Sequence, residues 1–126
     1  MTYSELLIEM SKSDRDELRS RLTAIMEHML KLSHLQHLVS RNGRLWTSTI
    51  LRERREIIAL IKKHPGLKSL LTQDLLATEA YKNALAAITP EFPEVRSFPG
   101  SCPYSLAEVA GDKVMDALKK KYSRPF

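Results

Sequence analysis

The chain has 126 residues, 43% hydrophobic and 28% charged, which is enough for one domain with one modest core and ordinary for a globular protein. Twenty Lys and Arg against fifteen Asp and Glu leave a net charge of +5, which permits an acidic protein or nucleic acid partner without requiring one, because the two signs are interleaved. The single cysteine, Cys102, excludes an internal disulfide and a multi-cysteine zinc site, and no apolar run approaches the roughly 20 residues of a membrane span.

The opening residues, MTYSELLIEM, have no basic stretch and carry two glutamates, which argues against a signal peptide and makes a cytoplasmic location the expectation. Thr2 and Glu5 have the spacing of a capping box, so a short N-terminal helix is expected over Thr2–Ser11, separate from the second helix or continuous with it. Ser13 and Asp16 form a second helix-start signal. From there Leu18, Leu22, Ile25, Met29 and Leu32 recur at steps of four and three, one face of an amphipathic helix. The helix is expected to reach Val39 and stop before the turn signal Arg41–Asn42–Gly43. The next helix starts near Arg44–Thr47, where Trp46, Ile50, Ile57, Leu60 and Ile61 share an arc of about 100°. His64–Pro65–Gly66 ends it. A fourth helix carries Leu67, Leu70, Leu71, Leu75, Tyr81, Leu85 and Ile88 on one side, up to Thr89–Pro90. Residues 89–104 hold four of the six prolines and read as a stiff, extended connector. Ser105 and Glu108 then start a short helix with Leu106 and Val109 facing inward; Gly111 breaks it, and a basic segment begins at Asp112. No stretch alternates between apolar and polar, so no strand is expected.

The expected fold is therefore an all-α antiparallel bundle of three long helices, with short helices at both ends. It forms a single domain over 1–126, with a core over 13–88, the connector over 89–104 and C-terminal helices over 105–122. Trp46 is expected to be buried.

Several landmarks in order resemble a bacterial family known only as domain of unknown function family 29. They are Arg19–Ser20–Arg21–Leu22, His28–Met29–Leu30–Lys31, Trp46-x-x-Thr49–Ile50, Arg54-x-x-Ile57, Pro65-x-Leu67, Tyr81-x-x-Ala84 and Cys102–Pro103–Tyr104. The resemblance spans about residues 4 to 110. It implies a compact all-helical protein and no established activity. The chain departs from the family at its start, where related sequences carry a further aromatic and acidic helical region. Its absence implies that apolar residues such as Leu6, Leu7 and Ile8 are covered by a second copy or another protein.

Candidate chemistry sits where charges enter apolar arcs. Glu53 projects between Trp46 and Leu60, Arg54 lies at the arc's edge beside Ile61, and Asp74 points along the arc of Leu67, Leu70 and Tyr81. Arg21 and His28, seven apart, flank the stripe of the helix before. Charges in a stripe must be paired or hydrated. These five residues form the candidate polar cluster, read either as an inter-helix ion network or as a pocket with His28 as acid, base or ligand. Pairing of Glu53 or Asp74 with Arg54 or Arg21 is expected. His34 and His37 are three apart, but no third ligand is at hand, so neither a metal nor a cofactor is expected. Cys102 reads as a small apolar anchor for the connector. Arg52, Arg54, Arg55, Lys62, Lys63 and Lys68 could form a basic face. Glu56, four residues after Arg52, has the spacing of an ion pair, and no phosphate loop or aromatic platform accompanies the cations, so nucleic acid binding is not favoured.

Without a strong catalytic motif, the favoured reading is a non-catalytic helical interaction module that self-associates or binds a protein partner, with no membrane involved. An enzyme or small-ligand-binding protein built on the polar cluster is the alternative, and weak nucleic acid binding a further one.

Overall fold

The computed structural model describes the backbone of residues 3–120 and the side chains of residues 12–119. Thr2, half of the expected capping box, and the segment beyond Lys120 lie outside the described residues, as do the side chains of Leu6, Leu7 and Ile8. The described chain is all-α, with no strand among its residues. Its elements are α1 (Tyr3–His34), α2 (Gln36–Lys63), a 3₁₀ segment (Pro65–Leu70), a π segment (Leu75–Ala80), α3 (Tyr81–Glu91), α4 (Leu106–Ala110) and α5 (Asp112–Lys120).

The first difference from expectation is at the start, where the helix is not short; of the two alternatives, the continuous one holds. There is no separate N-terminal helix: α1 runs unbroken through Ser13 and Asp16 for 32 residues. Nothing in Met10–Ser13 stops a helix, so a second start signal inside a continuous run has no effect.

The second difference is the turn between the long helices. It falls at Leu35, not at Asn42–Gly43. Leu35 leaves helical geometry (φ −117°, ψ 55°) and is fully buried, while Gln36 Nε2 donates to the carbonyls of Leu32 (3.0 Å) and Ser33 (3.2 Å) at the open end of α1. A buried leucine and a side-chain cap thus make a hairpin within one residue. Gly43 continues α2 instead. Gly43 is buried there; a β-carbon would lie 2.9 Å from Val39 Cγ1, one turn earlier in α2 itself, and in ordinary contact, 3.9 Å, with Leu32 Cδ2 of α1.

α1 and α2 are antiparallel, since Arg21 meets Glu53 and Asp14 meets His64. The π segment and α3 return alongside α1 in its own direction, with Arg19 on Glu79 and Lys31 on Glu91. The topology is up, down, up, with α1 in the middle. That position explains why Met26 and Leu30 are fully buried beside Leu18, Leu22 and Ile25, while Met29 is only half-buried.

The third difference is the fourth helix, expected to be long and regular. It is split into the 3₁₀ segment, the π segment and α3. Its buried pairs Leu75–Leu76 and Ala80–Tyr81 stand five apart, and the Tyr81 N–H bonds the Leu76 carbonyl, five residues back. The wider π turn keeps both pairs against α1, which an α-turn would rotate apart. α3 also runs past Thr89 to Glu91, with Pro90 in its last turn; Ile88 is buried and residues 89–91 are exposed.

Gln73 clasps the connector to the bundle. Its Nε2 donates to the Tyr104 carbonyl (3.0 Å), and its Oε1 accepts from the Leu106 N–H (2.8 Å). Cys102 packs on the core, with Sγ 4.0 Å from Met26 Sδ. The Tyr81 hydroxyl donates to the Pro99 carbonyl (2.5 Å); burial pushes its pKa up to about 12, with Tyr104 and Cys102 adding to the shift. α4 starts with the expected capping box: Ser105 Oγ accepts from the Glu108 N–H and Glu108 Oε1 from the Ser105 N–H. Gly111 ends it at φ +85°. Trp46 is 7% exposed, beneath Lys31, which lies over both its ring and that of Phe92.

Candidate functional site

The structure separates the five cluster residues into three places. Arg21 and Glu53 meet as expected, across the seam between α1 and α2: Arg21 Nη1 donates to Glu53 Oε1 at 3.0 Å. Glu53 is 7% exposed and is the one buried charged residue among those described. Arg21 also reaches Glu17 (3.2 Å) and Glu56 (3.8 Å), and Arg52 lies 3.4 Å from the second Glu53 oxygen. Burial lowers the Arg21 pKa, but its bonds to Glu53 and Glu17 more than offset this and raise it. Glu56 thus turns inward to Arg21, and the ion pair with Arg52 that its spacing predicts does not form.

His28 lies two turns further along α1, half-buried. Its Nδ1 sits 2.8 Å from the Ala24 carbonyl, which can only accept, so that nitrogen carries the proton. Burial lowers the ring's pKa, and Lys31 and Arg52 push the same way against the Ala24 bond and Glu53. A neutral imidazole results at neutral pH, on the flank of a closed ion pair.

Arg54 is elsewhere. Its Nε donates to the Val109 carbonyl (3.0 Å) and its Nη2 to the Glu108 carbonyl (2.8 Å), capping the open end of α4. A β-carbon on Gly111 would come within 3.0 Å of Arg54 Cδ and Nε, so the glycine makes room for this guanidinium. Asp74 is exposed at the other side of α1, in a small recess with Arg15, Ser69 and Glu79, and meets neither Arg21 nor Arg54. It therefore leaves the cluster. A residue at the edge of its own helix's arc can turn to any neighbour, and helical projection does not say which neighbour stands there.

Two features were not read from the sequence. Glu79 bridges Arg15 (2.7 Å) and Arg19 (3.0 Å) of α1, and Asp16 (2.7 Å) completes the Arg19 contacts. Those bonds, Arg15 first and then Arg19, hold the Glu79 carboxyl below its ordinary range. A sign-complementary pair sixty positions apart leaves no local signal. The second feature is a cleft of about 880 Å³ at the end of the bundle where α2 stops. Pro65, Leu67 and Leu70 contribute apolar walls; Lys12, Arg15 and Lys63 are cationic, and His64 Nε2 faces Asp14 at 3.6 Å. The sequence signal here, His64–Pro65–Gly66, reads only as a helix stop.

The family model "Domain of unknown function DUF29" matches residues 4–115. The chain belongs to this family. No match was found among curated proteins or among solved structures. The other histidines do not gather: His34 Nδ1 is 3.1 Å from Ser97 Oγ, with its ring edge-on to Phe98, and among the described residues no three His, Cys, Asp or Glu come together as metal ligands would. No helix among them is long and apolar enough to cross a membrane.

Proposed function

We propose that the protein is a non-catalytic helical module that works by association, first with a second copy of itself. The observation that carries this reading is the fate of the polar cluster. Arg21 and Glu53 neutralise each other in a helix seam, Arg54 caps α4 and Asp74 stands apart. An acid–base site needs such groups to converge on one reacting atom within hydrogen-bond reach.

The register of the hairpin supports association. Asp14 faces His64, just past the last residue of α2, so the first three turns or so of α1, Tyr3–Ser13, extend beyond α2. Their sequence holds Leu6, Leu7 and Ile8 with Glu5 and Glu9, and Lys12 is its single Lys or Arg. The cleft beside them has apolar walls with Lys12, Arg15 and Lys63, a surface of matching kind and opposite charge.

Sedimentation velocity on the full chain tests this. A concentration-dependent dimer that Leu6→Lys/Leu7→Lys abolishes, with the circular dichroism spectrum kept, is the expected result. A clean monomer at high micromolar concentration rejects self-association. A heteromeric complex recovered through the same residues would instead assign the surface to another protein.

A further inference from the structure

The true start of α2 changes the charge map of the molecule. With the helix beginning at Gln36, Arg41 and Arg44 join the same regular helix as Arg52, Arg55, Lys62 and Lys63. At about 100° per residue these six fall within an arc of roughly 100°, opposite the buried Gly43, Ile50, Ile57 and Ile61. All six are exposed. They run along about 33 Å of helix, at 1.5 Å per residue. Arg54 and Lys68, which sequence grouped with them, are not part of the stripe. Arg54 caps α4, and Lys68 Nζ donates to the Ala117 carbonyl at 2.9 Å.

The stripe is uncompensated. α2 carries seven Lys and Arg against Glu53 and Glu56, a surplus of five, which equals the net charge of the whole chain; the rest of the molecule is balanced. Among the six, Arg52 alone has an ion-pair partner among the described residues, the buried Glu53. The one acid at the stripe's edge, Glu56, is turned toward Arg21 on α1. Arg41–Arg44 and Arg52–Arg55 are like charges three apart, a spacing that weakens a helix. Packing does not require them, because all six stand on the exposed side of the helix.

We infer that this face of α2 binds the phosphodiester backbone of duplex nucleic acid, without reading its bases. Four of the six cations are arginine, whose guanidinium fits phosphate oxygens. The stripe's length is close to one helical turn of a duplex, about 34 Å, along which phosphates of both strands come within reach of a straight row of cations. Trp46, the one Trp, Tyr or Phe of α2, is buried on the opposite side, so the face offers none of these rings as a platform for unpaired bases. An acidic protein fits less well. Interfaces of that kind centre on an apolar patch, and the exposed large apolar residues of α2, Leu45 and Leu51, lie on opposite edges of the stripe, about 120° apart. The inference is independent of self-association: a monomer that binds duplex would remove the one and keep the other.

The test is fluorescence anisotropy of the full chain with labelled DNA and RNA duplexes of about two turns, with the corresponding single strands and with poly-glutamate. Expected is duplex binding that weakens from about 50 to 200 mM salt, with a log–log slope of roughly −4 to −5 for five or so phosphate contacts. Arg44→Gln/Arg55→Gln should lower affinity about tenfold or more and reduce the slope by about two, with unchanged circular dichroism. Arg19→Gln, on α1 and with its side chain paired to Glu79 and Asp16, should leave binding as it is. Preference for DNA or for RNA would identify which duplex is the target. No duplex binding at the lowest salt, wild-type binding by the double variant, or equal or tighter binding of single strands or poly-glutamate would each overturn the inference.

Discussion

α1 and α2 are similar amphipathic, arginine-rich helices, yet they use their charges in opposite ways. On α1, Arg15, Arg19, Arg21 and Lys31 each hold a carboxylate from another element: Glu79, Glu53 or Glu91. On α2, Arg41, Arg44, Arg55, Lys62 and Lys63 hold none among the described residues. The difference comes from position. α1 lies in the middle, with α2 on one side and the π segment with α3 on the other, so its polar flanks are always near another chain segment. α2 is covered on one side, and among the described residues nothing covers its outer face. A charge thus becomes part of the packing, or stays available to a partner, according to which helix is enclosed.

The comparison breaks most readily at its apolar base. Leu22→Ala, on the enclosed face of α1, should cost about 3–4 kcal/mol in chemical denaturation, the lost transfer energy plus a cavity. Leu45→Ala, 66% exposed on α2, should change stability by less than about 0.5 kcal/mol. Comparable losses would mean that α2's outer face is also covered.

Tyr81 sharpens the enclosed side through pH. Its folded-state pKa is raised from 10.0 to about 12 by burial. The raised value stabilises the fold fully below pH 10, and that stabilisation is lost as pH rises through about 12. The loss should be roughly 2–3 kcal/mol, at about 1.4 kcal/mol per pKa unit. Tyr81→Phe should flatten the stability curve above pH 10; an unchanged alkaline slope would refute the burial argument.

The two helices' arginines offer the direct contrast. Arg21→Ala leaves Glu53 nearly buried with only Arg52 at 3.4 Å, and should cost about 2–3 kcal/mol. Arg55→Ala should be neutral within about 0.5 kcal/mol or slightly stabilising, since it relieves repulsion with Arg52. Equal urea midpoints for the two variants would erase the distinction between seam and stripe.

The smallest effect concerns Glu79. Its pKa is depressed by Arg15 and Arg19, so its contribution is present above the ordinary carboxylate range and is lost as pH falls through its folded-state value. Glu79→Gln should remove a minor part of the acid-side loss of stability and leave the midpoint at pH 7 slightly lower. An identical acid profile would show that the bridge contributes nothing.

Much of this was legible along the chain. Repeated steps of three and four identified α1, α2 and α3 as helices and placed Leu18, Leu22, Ile50, Ile57, Tyr81 and Ile88 in the core. Ser105 and Glu108 marked the start of α4, because a capping box is a contact between residues three apart. Glu53 announced its need for a partner by lying inside an apolar arc, and Arg21 was among the candidates. Local periodicity could carry all of these, since each depends on neighbours within a turn or two. Only tertiary structure decided the rest. Arg41–Asn42–Gly43 reads as a turn, but Gly43 is buried inside α2, and the hairpin forms at a buried leucine. The π segment answers to a spacing of five imposed by the surface of α1. Arg54 went to α4 and Asp74 to the far side of α1, because a charge takes whichever opposite group the packing brings near. The basic stripe is continuous because α2 begins at Gln36: the six cations are written in the sequence, but whether they share one uncovered face depends on where the helix starts and on what fails to pack against it.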